Sequence, residues 1–136
     1  MVPAAGGPDG ALALSILIVN YSTRATTLAC LASLFAHPPL VAYEVILLDN
    51  ASSDGSVEAI RAAYPQVKLI AHAENSGFAG GNNIAAGHAT GQRLLLLNPD
   101  TLLFAGSLDA LWDFAERTPA RRIWGGRTLF GDHRLN

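Results

Sequence analysis

Short apolar runs alternate along this chain with longer amphipathic stretches. Leu14-Ser15-Ile16-Leu17-Ile18-Val19 is a leucine and β-branched run that stops at the polar turn Asn20-Tyr21-Ser22-Thr23, which can cap a helix. Leu28, Leu31, Leu34 and Phe35 then recur at helical spacing, and Pro38-Pro39 ends that segment. Tyr43 to Leu48 reads as a second strand, running into Asp49-Asn50-Ala51-Ser52-Ser53-Asp54-Gly55. Ser53 or Asp54 can cap a helix that carries Val57, Ile60, Ala63 and Tyr64 and closes at Pro65. Val67 to Ala71 is a third, less hydrophobic strand, nearer an edge. A small-residue helix is expected from about Gly80 to Ala89; its glycines weaken it by up to ~1 kcal/mol each relative to alanine, which points to close backbone approach. Leu94 to Leu97 reads as a strand buried on both faces, as in the middle of a parallel sheet. Ser107 can cap a helix with Leu108, Leu111, Trp112 and Ala115 on one face, and Ile123 to Phe130 can add one more strand.

Strand and helix in alternation imply βαβ units with right-handed crossovers, hence a three-layer α/β/α, Rossmann-like arrangement with a mainly parallel sheet. This architecture places Asn20, Asp49, the Asn75 to Asn83 loop and Asp100 along one edge, because each follows the carboxyl end of a strand. The domain is expected over 13–136, with residues 1–12, rich in Ala, Gly and Pro, as a flexible lead-in.

Composition narrows the ligand classes. A chain of 136 residues is one domain by length, and with 50% hydrophobic and 15% charged residues it is globular in composition. A net charge of −2 offers no electrostatic footprint for nucleic acid, so an anionic ligand must be held locally, by backbone, metal or single basic residues. The lone Cys30 excludes an internal disulfide, fits a reducing compartment and falls in a helical pattern as a packing residue. The start lacks the basic region of a signal peptide, and the longest apolar run is about half the ~20 residues a membrane span needs.

The candidate chemistry lies on the polar edge. Pro99 cannot donate a ladder hydrogen bond and biases Asn98 toward an extended conformation, so Asn98 and Asp100 sit just past their strand. A carboxylate beside an amide oxygen suits Mg²⁺ or Mn²⁺ shared with a diphosphate better than a closed protein cage. Taken alone, an Asn-Pro-Asp turn after a strand is common. Four polar clusters on one sheet edge form a binding cleft.

The residues Ile18-Val19-Asn20-Tyr21, Leu48-Asp49-Asn50-Ala51-Ser52-Ser53-Asp54-Gly55-Ser56, Asn75-Ser76-Gly77-Phe78-Ala79-Gly80-Gly81-Asn82-Asn83 and Leu97-Asn98-Pro99-Asp100-Thr101 occur in that order. With them the chain resembles the donor-binding half of a family-2 glycosyltransferase of the GT-A fold. It is most similar to bacterial rhamnosyltransferase-like members, in which Asn-Pro-Asp stands in for the commoner Asp-x-Asp. The resemblance implies that Asn20 and Tyr21 border the nucleotide base and that Asp49 accepts a hydrogen bond from its ring. It further implies that Asn75, Gly77 and Asn82 line the nucleotide, that Asp100 binds Mg²⁺ or Mn²⁺, and that Asn98 assists the metal or bonds the donor.

The implied reaction moves a sugar from a nucleoside diphosphate donor, TDP-rhamnose being one candidate, to a glycan or lipid-linked hydroxyl with inversion. Such transfer serves cell-surface polysaccharide synthesis, in the cytoplasm or peripherally at the inner face of the cytoplasmic membrane. The family's general base lies well downstream of the metal motif, so it is expected beyond Asn136, with the acceptor half absent, little transfer by the chain alone, and self-association through the C-terminal edge. Asp132 and His133 read as turn residues rather than as that base. The alternatives are a nucleotide-binding but inactive module, a dinucleotide-binding oxidoreductase domain and a sugar nucleotidyltransferase. The last two fit poorly: Gly77, Gly80 and Gly81 do not make G-x-G-x-x-G, and no glycine-rich basic loop follows the first strand.

Overall fold

The computed structural model describes residues 10–135. Four parallel strands form one sheet in the order β3-β2-β1-β4, with β1 over Leu14–Asn20, β2 over Tyr43–Asn50, β3 over Lys68–His72 and β4 over Arg93–Leu96. The connecting helices are α1 (Arg24–Ala36), α2 (Ser56–Ala63) and α3 (Gly77–Gly87), and α4 (Ser107–Arg117) follows β4. Most of the expected lead-in lies outside the described residues. At its end Leu12 is already tied down, since the Gln92 N–H donates to the Leu12 carbonyl at 3.1 Å.

The period-2 alternation of β1 and β2 divides the core in two. Ile16, Ile18, Val45 and Leu47 pack toward α1, α2 and α4, with Cys30, Leu31, Leu34, Ile60 and Leu108. Leu17, Val19, Ile46 and Leu48 pack on the other side against Ala85 of α3, with Ile84 partly buried there. Helices therefore cover both faces, and the three-layer α/β/α arrangement expected from sequence is the one observed. Winding proceeds from β1 outward to β3; α3 then crosses back on the opposite face, and β4 is laid on the far side of β1. The strand order reverses between β1 and β4, which is where open α/β sheets leave a crevice at the carboxyl ends.

Several expectations need correction. β4 is an edge strand among the described residues: it pairs with β1 alone, and Leu94 and Leu96 are 47% and 54% exposed. α3 covers β1 and β2 but leaves their face of β4 open, so four leucines in a row do not imply burial on both sides. Ile123 to Phe130 forms no strand. Gly125 and Gly126 interrupt it, Trp124 instead donates Nε1–H to Thr118 Oγ1 at 2.8 Å and lies over the Arg93 guanidinium, and the segment's ladder is one isolated bridge, Leu129 to Leu135. β2 runs two residues past Leu48, and α3 begins at Gly77 rather than Gly80.

The helix starts are also held differently. Ser107 is the first residue of α4, after Gly106 in the left-handed region, and its hydroxyl donates to the Phe104 carbonyl. The first N–H of α1, on Arg24, donates to Asp54 Oδ2 at 2.8 Å, so a loop after β2 caps the helix after β1. No helix of the described residues is long and apolar enough to cross a membrane.

Candidate functional site

A cleft of about 600 Å³ opens at the strand-order reversal. Val19, Tyr21 and Thr23 from the end of β1 form one wall, Asn98, Pro99 and Asp100 after β4 form another, and Asn50, Asn75, Gly77 and Phe78 complete it. Of the residues singled out from sequence, the fold thus brings Tyr21, Asn75, Gly77, Asn98 and Asp100 together. A larger hollow, about 1080 Å³, lies between β4, α4 and residues 119–126, where the expected last strand would have paired. Its lining is mostly apolar and it sits away from the carboxyl edge, so the cleft is the better candidate.

Asn20, Asp49 and Asn82 are not brought to the cleft surface. Asn20 and Asp49 are register partners on β1 and β2, and both are buried. The Asn20 Nδ2–H donates to Asp49 Oδ1 at 2.7 Å and to Ser52 Oγ at 3.1 Å. Asn20 Oδ1 accepts from the hydroxyls of Thr23 at 2.7 Å and Thr27 at 2.8 Å, and from Thr23 N–H at 3.3 Å. Asp49 Oδ2 accepts from Ser52 N–H at 2.9 Å. The pair therefore ties both strand ends to the start of α1. Asn82 turns back within α3, its Nδ2–H donating to the Phe78 carbonyl at 3.0 Å.

The glycines behave differently from expectation too. Gly77 occupies the left-handed region at φ +74°, and its N–H is already taken by Asn75 Oδ1 at 2.9 Å. Gly81 serves close packing on the sheet rather than on a ligand: a Cβ there would lie 2.8 Å from Val19 Cγ1 and 3.1 Å from Leu48 Cδ2. Backbone strain collects on the same edge, where Ser22 and Ala51, just past β1 and β2, hold φ of 50° and 63°.

Sequence reasoning missed Asn50, which lines the cleft while 2% exposed. Adjacent strand residues face opposite sides, so Asp49 pointing toward α1 already required Asn50 to point toward α3. The fully buried Cys30 packs beneath the Asn98-Pro99-Asp100 loop, its thiol donating to the Asn98 carbonyl at 3.7 Å. Burial, and then the Asp100 charge, push that thiol up to about 11, offset in part by a backbone bond from Thr101.

Asp100 and Asn98 are exposed on one wall and lie together at the mouth of the cleft. Among the described residues no group of three or more His, Cys, Asp or Glu gathers as a cage. One carboxylate and an amide oxygen facing open space fit a divalent ion that keeps several waters and shares oxygens with a bound diphosphate.

The family model for Glycosyl transferase family 2 matches residues 15–136. An N-acetylglucosaminyl-diphospho-decaprenol L-rhamnosyltransferase of Mycobacterium tuberculosis is 34% identical, over 55% of this chain and 28% of the relative. Among solved structures, S. aureus TarS 1–349 superposes with a TM-score of 0.68 at 19% identity, covering 79% of this chain and 33% of TarS 1–349. The same TarS segment has been solved in complex with UDP-GlcNAc. The mannosyltransferase PcManGT from Pyrobaculum calidifontis, solved with GDP-Man and Mn²⁺, gives a TM-score of 0.69 at 24% identity over 82% of this chain and 34% of that one. The fold is that of the GT-A glycosyltransferases. The matched region spans about a third or less of each of these proteins.

Proposed function

Because the chain belongs to glycosyl transferase family 2, we propose that it supplies the donor site of an enzyme that moves a sugar from a nucleoside diphosphate to a hydroxyl acceptor. The carrying observation is the convergence of Tyr21, Asn50, Asn75, Gly77, Asn98 and Asp100 on one cleft at the strand-order reversal. Tyr21 and Phe78, 55% and 60% exposed, offer ring faces to a base or sugar at the two sides of that cleft. The start of α3 opens onto it, and first-turn amides of a helix favour anionic oxygens. Asp100, with Asn98, would hold a divalent cation there. When bound, such an ion stabilises the negative charge that grows on a departing diphosphate.

The finer assignments follow the rhamnosyltransferase relative. We take the donor to be a rhamnosyl nucleotide such as TDP-rhamnose and the acceptor a lipid-linked glycan at the cytoplasmic membrane face, with inversion at the anomeric carbon. A second reading, donor binding without transfer, is favoured by one observation: among the described residues Asp100 is the sole carboxylate lining the cleft, so a bound metal would claim the one carboxylate there that could deprotonate an acceptor.

Titration calorimetry with TDP, UDP and GDP, with and without Mn²⁺, tests the proposal. Binding is expected to strengthen with Mn²⁺ in the parent chain, and Asp100→Ala to abolish that gain. Equal metal-dependent affinity in both proteins would refute it. Incubation with a radiolabelled donor separates transfer from binding alone.

A further inference from the structure

The loop that carries Asn75, Gly77 and Phe78 to the cleft is held by a residue outside it. The Ser76 N–H donates to Asn50 Oδ1 at 3.1 Å, the Ser76 hydroxyl donates to the same oxygen at 2.9 Å, and Asn50 Nδ2–H donates to the Gly77 carbonyl at 2.9 Å. A backbone N–H can only donate and a carbonyl can only accept, so these partners fix which end of the amide is which. Asn50 is also 2% exposed, and Gly81 leaves it room: a Cβ at Gly81 would stand 3.2 Å from Nδ2. Asn75 grips the same turn from its own side through the Gly77 N–H. The turn before α3 is thus clamped at consecutive residues, from within the loop and from the last residue of β2.

We infer that Asn50 is a positioning residue for the donor: through Ser76 and Gly77 it sets where Phe78 and the first turn of α3 stand across the cleft from Asp100. This rests on the donor-site reading above. The amide is needed because the clamp uses an acceptor and a donor within one short, planar group. Aspartate has the same shape, but as a carboxylate it would face the Gly77 carbonyl with a second acceptor. Burial at this 2% exposed position, and the Gly77 carbonyl facing the second oxygen, raise such a carboxyl above its ordinary range; protonated, it regains an O–H donor and copies the amide.

The test compares the parent with Asn50→Ala, Asn50→Asp and Ser76→Ala, measuring TDP-sugar and UDP-sugar affinity with Mn²⁺ at pH 8 and pH 5, with circular dichroism confirming the fold at each pH. Asn50→Ala is expected to bind about tenfold more weakly at both values, and Asn50→Asp about tenfold more weakly at pH 8 with recovery toward the parent at pH 5. Ser76→Ala, which leaves the buried amide in place and removes one of three bonds, should lose roughly threefold.

Asn50 variants that stay folded and bind within about twofold of the parent overturn the inference and leave the donor reading intact. So does an Asn50→Asp deficit that is the same at both pH values, because that is the signature of general destabilisation. If both Asn50 variants unfold, Ser76→Ala decides, and unchanged affinity there overturns it. A folded parent that binds no nucleotide sinks the donor reading and the positioning role with it.

Discussion

Replacing Glu44 by glutamine should remove much of the acid sensitivity of this fold. Glu44, on β2, sits at the amino end of the sheet, opposite the cleft, and it fastens β1, β3 and the segment ahead of β4. Its Oε1 accepts from the Ser15 hydroxyl of β1 at 2.7 Å and from the N–H and hydroxyl of Thr90, ahead of β4, at 2.7 and 2.9 Å. Its Oε2 accepts from Lys68 Nζ of β3 at 3.1 Å. Partial desolvation pushes the carboxyl up, but the bonds from Ser15, Thr90 and Lys68 outweigh it and hold the group down to about 2, against an ordinary 4.5. That difference is worth at most about 3–4 kcal/mol, and nearer ~2 once the bond from Lys68, whose side chain is 48% exposed, is discounted for screening. The sign follows from the unfolded chain binding the proton more readily. The contribution is complete above about pH 4.5 and disappears as the pH falls through about 2. Urea denaturation of parent and Glu44→Gln from pH 7 to pH 2.5 measures it. The parent should lose ~2 kcal/mol more than the variant across that interval, with the two curves converging at the acid end. Parallel curves would show that Glu44 titrates alike in both states and that this hydrogen-bonded arrangement is not what protects it.

Gly81→Ala should lower stability by about 1–2 kcal/mol in urea, since overpacking against Val19 and Leu48 exceeds the ~1 kcal/mol of helix propensity gained; a stabilised variant would show that α3 can lift without penalty. Asn20→Ala should lose about 2–3 kcal/mol by the same measurement, because Asp49, Thr23 and Thr27 are left without its amide. A loss under ~0.5 kcal/mol would mean that water replaces it. Cys30 should resist iodoacetamide at pH 8 in the native protein and react once the chain is unfolded, as its burial and high pKa require. Rapid native-state labelling followed by mass spectrometry would contradict that.

How far the sequence could be read depended on whether the signal was local. The runs at Leu14, Tyr43 and Val67 are strands because leucine and β-branched residues flank turn chemistry, and the polar edge followed from their alternation with helices. Whether a leucine run lies in the middle or at the edge of a sheet depends on what covers it, and nothing within Leu94 to Leu97 encodes that α3 stops over β1. Capping was legible where it is local: Asn20 Oδ1 accepts from the Thr23 N–H before α1, and Asp54 Oδ1 accepts from the Ser56 N–H at the start of α2. The second Asp54 bond, from Arg24 N–H thirty residues away, was not. At the site, the register that makes Asp49 and Asn20 partners of each other lies in the strand pairing and in neither motif alone. A period-2 reading of Asp49 and Asn50 would have assigned them to opposite faces; the bonds from Asn50 to Ser76 and Gly77 join residues too far apart in sequence to be read that way.

The reversal of strand order also bears on when the cleft can exist. The pairings of β1 with β2 and of β2 with β3 join residues about 20 to 30 positions apart, whereas β1 meets β4 across about 79, as Leu14 opposite Arg93 shows. Contacts across long loops close late, so the first three strands should assemble while β4 is still unpaired. One wall of the cleft rides on β4, and a donor nucleotide would then bind only the finished sheet. Added nucleotide is expected to slow unfolding without hastening folding. Pulsed hydrogen exchange in which the amide of Arg93 is protected before that of Leu47 would contradict this order.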